Sequence, residues 1–221
     1  VSRLDDAMAV LEARAEASIR DGMARYGIET KDRVIGVRVA GIQQVAKGLG
    51  RDHVLAEELW QTGVYEARML AAFVDDPALV TPAQMDRWAR AFDNWGICDT
   101  LTFKCWDKSP HAFAMVDAWA DDPAEFVKRT AFALLASLAL HDKKSGDEPF
   151  LERLRLIEAA ANDERNFVKK GVSWALRAIG GGKSPALRAA ARALADRLAA
   201  SPDKIAKWVG RDAQKAFAKA G

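Results

Sequence analysis

Apolar residues recur three and four positions apart in ten segments of this chain, and short breaks rich in Gly, Pro, Asp and Ser part the segments. That period lets an α-helix bury one face, whereas a half-buried strand alternates every second residue. The segments cover residues 4–19, 34–49, 54–60, 67–74, 85–95, 126–140, 150–161, 167–179, 187–198 and 205–217. At Thr81-Pro82, Ser184-Pro185 and Ser201-Pro202 a capping hydroxyl precedes a proline suited to a first helical position. Alanine supplies about a fifth of the residues and β-branched runs are missing, so strands have little support. We therefore expect an all-α protein.

Self-comparison adds a repeat. Asp121-Asp122-Pro123-Ala124-Glu125-Phe126-Val127-Lys128-Arg129 aligns with Asn162-Asp163-Glu164-Arg165-Asn166-Phe167-Val168-Lys169-Lys170, an offset of 41 residues (162 minus 121). Tyr65-Glu66-Ala67-Arg68 is a weaker echo. An offset of this size belongs to paired-helix solenoids of the HEAT or armadillo kind, in which each hairpin buries its apolar face against its neighbours. The expected architecture is an α–α superhelix of stacked HEAT-like hairpins, one domain over 1–221, curved, with one layer of helices lining a concave face.

Charge is unevenly placed. Residues 161–221 hold 13 Lys+Arg and 5 Asp+Glu, net +8, and residues 1–160 hold 20 and 26, net −6. A basic final third suits a phosphate backbone, which releases counterions as Lys and Arg approach; the bland alternative is a solvated Ala/Lys/Arg helix face. The longest nearly pure apolar run, 131–140, is about half of what a bilayer requires, and Val1-Ser2-Arg3-Leu4 carries no signal-peptide core. On those grounds we expect a cytoplasmic protein without a membrane partner.

Several chemistries find no motif. His53, His111 and His141 lack metal-ligand spacing, and Cys98 and Cys105, seven apart, read as small core residues. Nucleophile-elbow, Walker and dinucleotide motifs are missing, so neither metal nor cofactor is expected, and Gly180-Gly181-Gly182 reads as a helix stop. What stands out is Trp88, Trp95 and Trp106 crowded around Asp93, Asn94 and Asp99. On a helix starting at Trp95, Asp99 shares its face, setting an indole beside a carboxylate. Both attract a developing cation. The plain alternative makes Trp95 core and Asp99 a cap or an ion-pair partner.

At these residues the chain resembles the AlkD-like family of DNA alkylation repair glycosylases, which are all-helical HEAT-like proteins. The matching stretches are Met23-Ala24-Arg25-Tyr26-Gly27, Glu58-Leu59-Trp60, Tyr65-Glu66-Ala67-Arg68, Trp95-Gly96-Ile97-Cys98-Asp99, Phe126-Val127-Lys128-Arg129, and Phe167 through Arg177. The resemblance implies a monofunctional glycosylase that removes positively charged alkylpurines, such as 7-methylguanine and 3-methyladenine, from duplex DNA without a base-flipping pocket. It assigns Asp99 as the catalytic carboxylate, Trp95 and Trp174 as indoles packing on the sugar and backbone, and Arg129 as the cleft arginine. Tyr26, Arg38, Lys128, Lys169, Lys170 and Arg177 are the expected DNA contacts, with Arg129 and Lys170 facing one groove, and a monomer is expected. A non-catalytic HEAT-like protein that recognises distorted or branched duplexes is the alternative. Two departures from the family's pattern stand out. Gly36-Val37-Arg38-Val39-Ala40 replaces a Gly-Val-Pro-x-Pro stretch, and Gly96 follows the tryptophan where an Asp is common.

Overall fold

The computed structural model of the chain describes residues 2–182 and 184–220. Its helices are α1 (Arg3–Glu12), α2 (Ala17–Gly22), α3 (Val39–Leu49), α4 (His53–Gln61), α5 (Tyr65–Val74), α6 (Pro82–Ala89), α7 (Trp95–Lys104), α8 (Ala112–Trp119), α9 (Glu125–His141), α10 (Glu148–Ala160), α11 (Asn166–Gly180), α12 (Pro185–Ala200) and α13 (Lys204–Ala220). Two 3₁₀ turns, Met23–Tyr26 and Trp106–Lys108, interrupt them. Among the described residues there is no strand beyond an isolated parallel bridge between Arg33 and Val64. The all-helical solenoid expected from the periodicity is what forms.

The helices stack in two rows. Along the first, α3, α5, α7, α9, α11 and α13 pack successively on one another; α4, α8, α10 and α12 back α5, α9, α11 and α13. The 41-residue repeat is visible in three dimensions, since Phe126 and Phe167 open α9 and α11 with their rings 5.4 Å apart. Behind the first row runs an aromatic ladder. Trp60 stacks on Trp88 at 4.3 Å, Phe92 sits 6.0 Å from Trp60 and 5.7 Å from Trp106, and Trp106 lies 5.6 Å from Trp119. Each indole of that ladder is buried, so two of the three crowded tryptophans, Trp88 and Trp106, are core. Cys98 and Cys105 are buried free thiols, as their spacing suggested.

Helix starts follow two of the three hydroxyl–proline pairs; α13 starts not at Ser201-Pro202 but after Asp203, which accepts the Ile205 and Ala206 N–H bonds at 2.9 and 2.8 Å. Thr81 and Ser184 accept backbone N–H bonds from Gln84 and Leu187, with Pro82 and Pro185 in the first turn. Three segments differ from expectation. Residues 4–19 split into α1 and α2 at 13–16; 85–95 is two helices parted at 90–94, with Phe92 buried in the turn; and 34–38 is irregular, so α3 begins at Val39. The buried carboxylate of Glu66 holds the last of these in place. It accepts N–H bonds from Ile35 (2.9 Å), Gly36 (2.7 Å) and Val37 (3.3 Å), on a stretch that the positive φ of Gly36 keeps out of the α-helix. Gly36 sits at φ +96°, where an added Cβ would lie 2.4 Å from the Glu16 carbonyl.

The turn before α11 carries a measurable electrostatic contribution. Asp163 accepts from the Arg165 side chain at 2.9 and 2.6 Å, from its backbone N–H at 3.1 Å, and lies 3.2 Å from Lys128. Those hydrogen bonds, Arg165 first, hold the Asp163 carboxyl down at about 2. A depressed folded-state pKa stabilises above the unfolded value near 3.9 and is lost as pH falls through about 2, which is worth about 2 kcal/mol. Urea unfolding of Asp163→Asn is expected to show that loss at neutral pH and a flatter profile between about pH 4 and 2. Equal stability of variant and parent at pH 7 would contradict the assignment.

Candidate active site

The site is assembled where α7 meets the segment before α3. Asn94 caps α7 by accepting the Ile97 N–H at 3.2 Å. Next to it, Asp93 accepts from the Lys31 N–H (2.6 Å), the Thr30 hydroxyl (3.1 Å) and the Asn94 amide (2.9 Å), lacing residues 30 and 31 to the helix start. One residue on, the Trp95 indole N–H donates to the Tyr26 carbonyl at 3.0 Å. These bonds fix the indole half-exposed, with Asp99 one turn further along the same face.

Asp99 is held by a fork. Arg129 Nε and Nη2 donate to its two oxygens at 3.1 and 2.8 Å, while Arg129 Nη1 donates to the Phe167 carbonyl at 2.9 Å. The guanidinium is nearly buried, at 8% exposure, and the carboxylate keeps 21%. Burial pushes the Asp99 carboxyl above the ordinary carboxylate value, and Arg129 opposes that rise. The outcome is an oriented carboxylate with one side toward solvent.

That open side faces a cleft of about 350 Å³ lined by Tyr65, Trp95, Asp99, Phe103, Lys104 and Trp174, among others. Trp174 of α11 stacks on Phe103 of α7 at 5.1 Å and 10°. Both indoles, Trp95 and Trp174, thus line the carboxylate's cleft, a wall suited to a cation. Asp99 is an ion-pair partner, as the plain alternative had it, but Trp95 is half-exposed and not core, and both residues line the cleft.

Gly96 has a steric explanation. A Cβ there would lie 2.8 Å from the buried Tyr65 hydroxyl and 3.3 Å from Ile28 Cδ1. Any side chain at 96 must displace the phenol, so the Gly96 departure and Tyr65 belong together. Although Ala is the better helix former by about 1 kcal/mol, Gly96→Ala is expected to destabilise by about 1 kcal/mol net. A rise in the urea midpoint would show that Tyr65 yields freely.

The remaining expected residues divide. Tyr26 (74% exposed) and Lys170 are open to solvent. Arg38 is exposed and forks onto Glu16 at 3.0 Å through both Nε and Nη2. Lys128 is mostly buried, 3.2 Å from Asp163 and 3.8 Å from Asp121. Lys169 lies over the Trp208 ring, and Arg177 sits 3.4 Å from Asp212. Arg129 and Lys170, equivalent in the repeat, differ in surroundings, because α7 offers Asp99 to the first while the second remains at the surface. The sequence reading missed Tyr65, Phe103 and Lys104 in the cleft wall; Phe103 and Lys104 lie one turn or more beyond Asp99 on α7. Among the described residues no group of three His, Cys, Asp or Glu could hold a metal, and no helix is long and apolar enough to cross a membrane.

With this geometry in place, likeness to known proteins can be set beside it. A family model described as DNA alkylation repair enzyme matches residues 7–217. A solved structure described as a new family of proteins related to the HEAT-like repeat DNA glycosylases with affinity for branched DNA structures superposes at TM-score 0.79 and 18% identity, covering 97% of this chain and 95% of its own. At that identity the likeness is one of fold. A designed armadillo repeat protein aligns over 97% of this chain and 91% of its own, with 15% identity and TM-score 0.34, too loose to support an argument. No curated protein matches.

Proposed function

Because the chain belongs to the DNA alkylation repair enzyme family, we propose that it is a monofunctional DNA glycosylase for N3- and N7-alkylated purines in duplex DNA. The observation that carries this reading is the oriented Asp99 carboxylate in an open cleft walled by Trp95 and Trp174.

The chemistry asks little of the protein beyond electrostatics. An alkylated purine already bears positive charge, so when its glycosidic bond breaks the bonding pair leaves with the base and neutralises it. The sugar becomes an oxocarbenium-like cation, as in glycoside hydrolysis. Asp99 stabilises that cation and orients water toward the anomeric carbon. Trp95 and Trp174 add cation–π attraction and exclude bulk solvent. Arg129 positions the carboxylate and bonds to the Phe167 carbonyl, so it is a positioning residue on this geometry. The cleft is open, in keeping with a mechanism that does not enclose the base.

Tyr26, Arg38, Lys169, Lys170 and Arg177 are proposed to lie along the DNA, while Lys128 stays with its acidic partners. The protein would act as a monomer on DNA in the cytoplasm, as a single unit over 1–221. Release of 7-methylguanine from a methylated duplex, followed against the spontaneous rate, tests the activity; no release above that rate ends it. The second reading, binding of branched or distorted duplexes without chemistry, draws on the exposed Lys170 and the basic α13. It predicts salt-sensitive binding of a four-way junction and no base release.

A further inference from the structure

The last helix of the first row carries a feature that the cleft does not use. On α13, Lys204, Lys207, Arg211 and Lys215 follow one another at spacings of three to four, and with Trp208, next to Lys207, they line one groove of about 380 Å³. Trp208 is 39% exposed, whereas the ladder tryptophans are 5% exposed or less. From the neighbouring α11, Lys169 places its ammonium 5.3 Å from the Trp208 ring centroid. Among the described residues none of these five cations has a carboxylate within ion-pair distance. One acid, Asp212, also lines the groove, but its carboxylate accepts from the Ser173 hydroxyl at 2.6 Å and lies 3.4 Å from Arg177.

Unneutralised cations in a row repel one another, and a polyanion relieves that repulsion. A flat indole set among them matches the way nucleic acids without full pairing are held, phosphates on cations and a base on an aromatic face. An intact duplex offers no free base face, so the indole selects for a base that is unpaired or unstacked. A lipid surface fits less well. The other face of α13 is core, through Ala206, Val209, Ala213 and Phe217, and Trp208 is its one large exposed apolar residue among those described, too little for interfacial insertion.

We propose that α13 is a second nucleic-acid site, which stacks an unpaired base on Trp208 and holds the flanking phosphates on Lys204, Lys207, Arg211 and Lys215. It goes beyond the glycosylase reading and does not require Asp99. Affinities of the purified chain for a labelled intact duplex, and for the same duplex with one bulged adenine, provide the test. Trp208→Leu keeps apolar bulk without the π-face and is expected to weaken bulge binding about tenfold, with less than about a twofold change on the intact duplex. Trp208→Phe is expected to retain most of the bulge affinity. Lys207→Ala combined with Lys215→Ala is expected to lower the salt slope by about 2 on both probes. Equal losses on both probes with Trp208→Leu, or none, overturn the proposal. So does a Trp208→Leu chain that loses phosphatidylserine vesicles while keeping the bulge. Failure of 7-methylguanine release is read separately and leaves this test intact.

Discussion

Replacing Asp99 by Asn is expected to slow enzymatic release of 7-methylguanine by about two orders of magnitude, the usual effect of removing one preorganised electrostatic group. The amide keeps the shape of the carboxylate and loses the charge that faces the sugar. It also leaves the buried Arg129 guanidinium without a counter-charge and with one acceptor fewer, the amide oxygen and the Phe167 carbonyl remaining. Since Asp99 is partly solvated, the expected destabilisation is about 2 kcal/mol, below the range for a fully buried pair. A slow variant could therefore be blamed on a damaged fold. The double variant Asp99→Asn with Arg129→Met separates the two effects, because it removes the stranded charge. It is expected to recover stability in urea without recovering activity. The pH profile provides an independent check. Burial raises the Asp99 carboxyl above its ordinary value, so with spontaneous loss subtracted the parent rate should fall as pH drops through that raised value. The residual rate of Asp99→Asn should lack this limb. An undiminished single variant would remove Asp99 from the mechanism.

The second large effect is expected in the segment before α3, whose end at Val39 borders the cleft. Glu66→Ala strips three backbone N–H groups, those of Ile35, Gly36 and Val37, of their shared acceptor. Hydrogen bonds to a charged group are worth about 1.5–3 kcal/mol each, and buried donors left unmade add desolvation cost, so a loss of about 3 kcal/mol is a conservative expectation. Amide exchange should report where it falls, with protection at 35–37 dropping well before that of the α9 and α11 cores. The loosened stretch lies between Asp32, whose oxygens each accept from Arg68 Nη1 at 2.8 Å, and Arg38, the cap position of α3. Unchanged exchange in the variant would show that the segment is held by something else.

How much of this was readable beforehand depends on the range of the interaction. The solenoid was legible because helix period and capping prolines are local signals, and the repeat at Phe126 and Phe167 recorded the stacking directly. Boundaries failed where burial and helix part company. Phe92 continues the apolar pattern of residues 85–95 yet is buried from within a turn. In α8 the sequence from Ala112 to Trp119 is almost wholly apolar, so no polar face set a period against which to see it. Asp99 and Arg129 were both picked out, though not as partners, because 30 positions of chain separate them and spacing cannot show a fork. Glu66 left no trace for the same reason. Its side chain answers amides about 30 residues upstream, and in its own helix it reads as an ordinary first-turn acid.

Arg129 touches three consecutive members of the first row, rooted in α9, forked onto Asp99 of α7 and bonded to the carbonyl that opens α11. Solenoids change length over time by gaining or losing hairpins, since each contacts only its neighbours. That freedom ends here. A hairpin inserted between α7 and α9 would carry the carboxylate beyond the guanidinium's reach, and one inserted between α9 and α11 would take away both the Phe167 carbonyl and Trp174. The stretch from Trp95 to Trp174 is thus an indivisible block within an otherwise modular array, and lineages can lengthen or shorten the chain only outside it.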